Sequence, residues 1–269
     1  MTEPFIIREA RAPVVPFILS VPHCGTEFPE EIREDYVESM AAQPDDTDWF
    51  VHDLYNFASD LGITMIHARY SRWVIDLNRD PESRPLYNDG RIITGLTPST
   101  DFLGQEIYIS DDRVPDEEEV YRRLDRYYWP YHNRIAALLQ ERVEEFGKVI
   151  LWDAHSIRHV VPTIREGQFP DMILGDNDGI TAAPSLIETA LENLRSGSFG
   201  VNHNSPFKGG TITRSFGKPE GNIHALQLEM NKILYMDDTE LLFDEERANA
   251  IRPILKQTFV ELLKAIENL

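Results

Sequence analysis

Two rhythms of apolar and polar positions run along this chain. Six short apolar runs are closed by polar or turn residues: PFILSVP (16–22), ITMIHA (63–68), WVIDL (73–77), KVILW (148–152), DMILGD (171–176) and HALQLEM (224–230). Each has the length of a buried strand. Between them, apolar residues recur at helical spacing. Phe50, Val51, Leu54, Phe57, Ala58 and Leu61 follow the cap candidates Asp46 and Thr47. A longer helix is predicted over about 117–146, from Val120, Leu124, Tyr127, Tyr131, Ile135, Leu138 and Val143, with Pro130 expected to kink or split it. Pro184 opens another, and a last helix is predicted over about 245–266. Strands alternating with helices predict an α/β fold, a mainly parallel or mixed central sheet flanked by helices. No internal repeat and no Gly-, Ser- or Pro-rich linker divides the chain, so one domain over 1–269 is expected.

Two stretches break the rhythm. Residues 80–116 are polar and carry Pro81, Pro85, Gly90, Gly95, Pro98, Gly104 and Pro115, and residues 196–222 carry six glycines. Long irregular insertions in a compact domain are more often binding loops than filler.

Composition narrows the function classes. The 269 residues include 26 basic and 46 acidic ones, a formal charge of −20. That charge argues against a nucleic-acid backbone as partner. An anionic small substrate remains compatible, because a few arginines in one cleft reverse the local field. A single cysteine, Cys24, excludes a disulfide framework and a zinc site of several thiolates. No apolar run approaches the roughly 18 residues of a membrane span, and the start MTEPFIIREARAP lacks the pattern of a secretory signal. A cytoplasmic location without membrane contact is therefore expected.

In open α/β sheets, ligands bind beyond the carboxyl ends of the strands. His23 follows FILSVP, Asp153-Ala154-His155-Ser156 follows KVILW as a turn, and Glu229 lies in HALQLEM. Two histidines and a carboxylate, with a position left for water, are the usual catalytic zinc set, and a further glutamate can take a proton from water. A lone histidine after a strand is more often a hydrogen-bonded loop residue; two of them at two strand ends are harder to read that way. Asp153 could orient His155 or cap the following turn. Glu229, between Leu228 and Met230, is costly to bury without a partner.

Arg72, Asn78, Arg79 and Arg214 form the second constellation. An arginine after a strand can grip a carboxylate with its fork, although Arg79 could equally pair with Asp76 or Asp80 at the surface. Gly209-Gly210 suggests close approach of backbone to a ligand, or a glycine hairpin turn. Cys24 beside His23 does not complete a Cys-His-Asn pattern, and no G-x-S-x-G, G-x-G-x-x-G or G-x-x-x-x-G-K-[ST] motif is present.

SVPHCGTEFP, DDTDWFVHDLY, SRWVIDLNRDPES, LWDAHSIR, FKGGTITRSFGKP and ALQLEMNK follow one another in the order and spacing of one family, over about residues 15–235. In these six blocks the chain resembles the N-formylglutamate amidohydrolase (N-formylglutamate deformylase) family. The resemblance implies the fold of zinc-dependent exopeptidases and amidases. It also implies hydrolysis of N-formyl-L-glutamate to formate and glutamate, a step of histidine degradation. By the same resemblance, His23 and His155 are ligands of Zn2+ or another divalent metal, with Asp48 preferred to Glu27 as the third. Glu229 matches the general base, and Asn78 with Arg79 matches the pair that holds a substrate carboxylate. Arg72 and Arg214 are expected to join them around a small dianionic N-acyl amino acid. Cys24 departs from the Ser or Ala expected beside the ligand. The competing readings are a metal-dependent amidase for another N-acyl amino acid or a peptidoglycan fragment, and a degenerate member that only binds an acidic metabolite.

Overall fold

The computed structural model of the chain describes residues 2–82, 84 and 95–269. Part of the predicted loop 80–116, with Pro85 and Gly90, lies outside the described residues.

Seven strands form one sheet in the order β1-β3-β2-β4-β7-β5-β6. They are β1 (Phe5–Arg8), β2 (Phe17–Val21), β3 (Thr64–Ala68), β4 (Val149–Ile157), β5 (Met172–Gly175), β6 (Val201–His203) and β7 (Ile223–Asn231). The centre, β3-β2-β4-β7, is parallel, while β1 and β5 join it antiparallel, so the sheet is mixed. The helices are α1 (Glu30–Arg33), α2 (Glu38–Ala42), α3 (Val51–Leu54), α4 (Glu117–Arg123), α5 (Trp129–Phe146), α6 (Pro184–Leu194), α7 (Thr211–Phe216) and α8 (Glu245–Glu267). Among the described residues no helix is long and apolar enough to cross a membrane.

Strand alternation sends neighbouring side chains to opposite faces. Phe17, Leu19, Trp152, Leu226 and Leu228 point to one face, where α3, α6 and α8 cover them. Phe259 of α8 sits at the centre, its ring 4.7 Å from Phe17, 5.5 Å from Tyr55, 5.7 Å from Phe57 and 5.2 Å from Trp152. On the other face Ile18, Ile66, Leu151 and Ala225 pack against Tyr131, Ile135, Leu138 and Leu139 of α5 and Ile212 of α7.

Several sequence expectations are corrected. WVIDL (73–77) is not a strand but a run of buried turns. Its apolar residues are covered by loops and α4–α5, and its polar groups bond to turn carbonyls and to side chains instead of a neighbouring strand. Asp153–Ser156 is not a turn, since β4 continues to Ile157, paired with β7 along its whole length. The helix predicted over 50–61 is one α turn, α3, followed by a 3-10 turn over Asn56–Leu61. Asp46 and Thr47 do not cap it, because Asp46 instead accepts from Trp73 Nε1 at 2.9 Å and Phe102 N at 3.0 Å. The helix over 117–146 splits as α4, a π-helical turn over Leu124–Tyr128, and α5 with Pro130 in its first turn, where a missing N–H costs least. The stretch 196–222 is not wholly irregular, for it contains β6 and α7.

Because Phe259 is fully buried among four aromatic rings, Phe259→Ala should lower unfolding stability by about 3–5 kcal/mol, the range for emptying a large aromatic site. A shift of the urea midpoint corresponding to less than about 1 kcal/mol would mean that the helix layer collapses to fill the space.

Candidate active site

The lower halves of β2, β4 and β7 are apolar on the α5 side, and their upper halves are polar. Ser20 of β2 faces Asp153 of β4, Asp153 faces Gln227 of β7, and His155 faces Glu229. The two-residue period therefore places Asp153, His155, Gln227 and Glu229 on one face, at the carboxyl ends of parallel strands. His23 lies two residues beyond β2. Asp48 arrives from the loop before α3, its N–H donating to His23 O at 2.9 Å.

His23, Asp48 and His155 offer three ligand atoms within 4.8 Å of one another. Asp48 Oδ2 is 3.1 Å from His155 Nδ1 and 3.8 Å from His23 Nδ1. Both imidazoles thus turn Nδ1 inward. Their outer nitrogens meet other carboxylates, His23 Nε2 with Asp76 Oδ1 at 2.8 Å and His155 Nε2 with Asp153 Oδ2 at 3.2 Å. Metal-binding histidines usually carry such an outer carboxylate, which fixes ring orientation and raises basicity. Three carboxylates are fully withdrawn from water here, Asp48 at 1% exposure and Asp76 and Asp153 at 0%, with Arg72 and Lys232 as buried cations acting on them. The buried Asp48 carboxylate between two imidazoles, a mixed set of nitrogen and oxygen donors, fits a divalent cation of the zinc type.

The electrostatics differ from residue to residue. Burial, with Arg72 nearby, pushes His23 down to about 4, which keeps it a neutral donor. Burial also works against charge on His155, but Asp153 and Asp48 overcome it and raise its pKa well above the ordinary imidazole value. For Asp76 burial is outweighed by Arg72, Arg79 and His23, which hold it well below the usual carboxylate range. Burial pushes half-buried Glu229 up to about 8, against the lowering effect of His155 and Arg72.

Arg72 donates to Asp76 Oδ2 at 2.5 Å and lies over the Phe102 ring at 4.7 Å. Its Nε is buried without a hydrogen-bond partner among the described residues. Arg79, half-buried, keeps Nη1 3.8 Å from Asp76. Arg214 lies on α7, with Nε bonded to Gly209 O at 2.8 Å. Asn78 faces inward: its Nδ2 lies 2.9 Å from His155 Nε2 and 3.3 Å from Asp153, while its Oδ1 accepts from Ile212 N at 2.8 Å. Its amide is engaged with the protein on both sides. Glu27 is exposed and paired with Arg69 at 3.1 Å. Buried Cys24 donates to Val21 O at 3.5 Å, and burial keeps it a thiol. Gly209-Gly210 makes its close approach to Asn78, not in a hairpin turn, and leads into α7.

In the sequence Asp76 reads only as an ion-pair partner, and Ser20, Thr213, Gln227 and Phe102 belong to none of the constellations above. Thr213 Oγ1 donates to Asp153 at 3.2 Å, and Gln227 Oε1 accepts from Gly210 N at 2.7 Å. Gln227 had a legible signal, two residues before Glu229 on one strand face. Thr213 and Phe102 had none, since one approaches from α7 and the other from a separate loop.

The model of the N-formylglutamate amidohydrolase family matches residues 15–236. The chain belongs to this family. An N-formylglutamate deformylase of Pseudomonas putida is 40% identical over 252 residues, 93% of this chain and 92% of the relative. One of Pseudomonas aeruginosa is also 40% identical, over 93% of each. The crystal structure of an N-formylglutamate amidohydrolase from Ralstonia eutropha JMP134 superposes with a TM-score of 0.78 at 27% identity, over 99% of this chain and 98% of that one. A gene product of Agrobacterium tumefaciens has the same fold, with a TM-score of 0.76 at 21% identity over 99% and 97%.

Within this family member, Gly210 is a sensitive point of the site. A Cβ there would fall 2.3 Å from Asn78 Nδ2, whereas one at Gly221 would meet nothing within 4 Å. Gly210→Ala should therefore cost about 1–3 kcal/mol by overpacking. Gly221→Ala should stay within about 0.5 kcal/mol. Equal urea midpoints for the two variants would show that Asn78 can yield.

Proposed function

We propose that the chain hydrolyses the amide of N-formyl-L-glutamate to formate and L-glutamate, with a divalent metal, zinc, held by His23, Asp48 and His155. The observation that carries this reading is the buried triad with Glu229 on the adjoining strand position, in a chain 40% identical to named deformylases. Histidine degradation, the setting implied by the family resemblance, is part of the same reading.

When bound, the metal would polarise the formyl carbonyl and acidify an attacking water. The rest falls to the protein. Asp76 and Asp153 keep the two imidazoles turned inward. Glu229 accepts a proton from the water and delivers it to the amine nitrogen as the C–N bond breaks. A cation held by the triad would favour the ionised form of Glu229 that this role needs, against the burial that raises its pKa. Substrate binding has to overcome a chain charge of −20, so cations must be local. Arg79 and Arg214, with the orphaned Nε of Arg72, are the groups we assign to the two substrate carboxylates.

Formate release from N-formyl-L-glutamate should stop on chelation and return with zinc. His23→Ala, His155→Ala and Asp48→Ala should each lose the bound metal, and Glu27→Ala should keep it. A full equivalent of metal in the two histidine variants would refute the ligand assignment.

Glu229→Gln should keep the metal while kcat falls by about 10² or more, the scale of a lost general base. A kcat within a factor of a few of wild type would pass that role to another group.

A further inference from the structure

The segment Asp76–Arg79 carries three groups of the site, yet no strand pairing holds it. Besides the Asp76 N–H bond to Leu96 O at 2.7 Å and the contacts of the Asp76 and Asn78 side chains, its backbone carbonyls are held from the α4–α5 junction. His132 Nε2 lies 2.8 Å from Leu77 O, and Tyr128 OH donates to Arg79 O at 2.9 Å. A carbonyl can only accept, so His132 carries its proton on Nε2. The two rings stack at 4.0 Å with planes 14° apart. Phe216 lies 5.8 Å from His132, also nearly parallel at 25°. It ends α7, the helix that bears Arg214 and whose first N–H groups, of Thr211 and Ile212, are received by Asn78 O and Oδ1 at 3.4 and 2.8 Å. The π-helical turn over Leu124–Tyr128 ends on Tyr128 itself. Such turns add a residue to the helix, re-aim the side chains that follow, and are frequent at functional sites.

A pinned backbone has a physical use here. Asp76 already binds Arg72 and His23 and attracts the Arg79 guanidinium, which rests 3.8 Å away. A looser segment would let Arg79 close onto Asp76, away from a substrate carboxylate.

We propose that Tyr128 and His132 are positioning residues: their hydrogen bonds to the carbonyls of Arg79 and Leu77 hold Arg79 in its carboxylate-binding pose, and Phe216 ties the Arg214 helix to the same ring stack. This rests on the reading of Arg79 as a substrate-binding residue. Neither ring touches the reacting atoms, so the signature is in KM and in coupling to Arg79.

The test is a double-mutant cycle on the metal-loaded enzyme with N-formyl-L-glutamate. Tyr128→Phe removes one hydroxyl and should raise KM about three- to tenfold, the range for one hydrogen bond, with kcat within about twofold. In an Arg79→Ala background the same change should move kcat/KM by less than about twofold, because the pose it protects is gone. His132→Gln, which retains an N–H donor, should keep a lower KM than His132→Leu. An unchanged KM in Tyr128→Phe, or the same penalty in both backgrounds, overturns the Tyr128 assignment. Equal KM values for the two His132 variants overturn that of His132. If Arg79→Ala alone leaves KM unchanged, the substrate-binding reading of Arg79 fails first; if Arg79→Ala raises KM and Tyr128→Phe does not, only the positioning role fails.

Discussion

Burying negative charge is the constraint on which the rest of this structure depends. Asp76 and Asp153 have no exposed surface, and Asp48 almost none. An ionised carboxylate removed from water costs several kcal/mol unless its oxygens are met by charge and hydrogen bonds. Each is met here from several parts of the chain. Asp76 receives Arg72, His23 and the Asn78 N–H, while Asp153 receives Ser20, Asn78 and Thr213. Asp48 is met by the inner nitrogens of both imidazoles, where His23, Asp48 and His155 converge. The fit of this site to a cation is thus a property of the surrounding polar interior as much as of the three residues themselves.

The apolar framework makes that interior affordable. The helix-covered face under Phe259 and the α5-covered lower half of the other face keep water from the strands, and the polar positions are confined to one end. Loops then close over that end. Trp73 bonds to Asp46, Phe102 covers Arg72, and Asn78 joins β4 to the start of α7. Distant pieces of chain meet at a polar layer, which explains why so many of its partners are far apart in sequence.

Strand centres and long helices were legible because their periodicity is local. β2, β4, β5 and β7, with α6 and α8, lie where apolar runs and helical spacing place them. WVIDL misled because burial by loops leaves the same apolar run as burial in a sheet. β6 carries too few apolar positions to register, and β1, the four residues FIIR, is too short and only half-buried. Within the site, the strand ends point to His23 and His155 from position alone, whereas Asp48 entered only through the family resemblance. The use of Asp76 as the partner of His23 depends on a fold-back of 53 residues that no local pattern contains.

The nine-position pairing of β4 with β7 has a consequence for how this site can vary. The separation of His155 from Glu229 is set by the spacing between neighbouring strands, about 4.8 Å, and not by side-chain packing. Substitutions around the sheet can loosen the packing and leave that spacing intact. A single inserted or deleted residue early in β7 is different in kind. It would turn the carboxylate through the sheet, toward the aromatic layer of α8, and bring an apolar neighbour to the polar side. A change of length in β4 or β7 would therefore unmake the polar face, whereas exchange of one residue for another keeps the register of this chain.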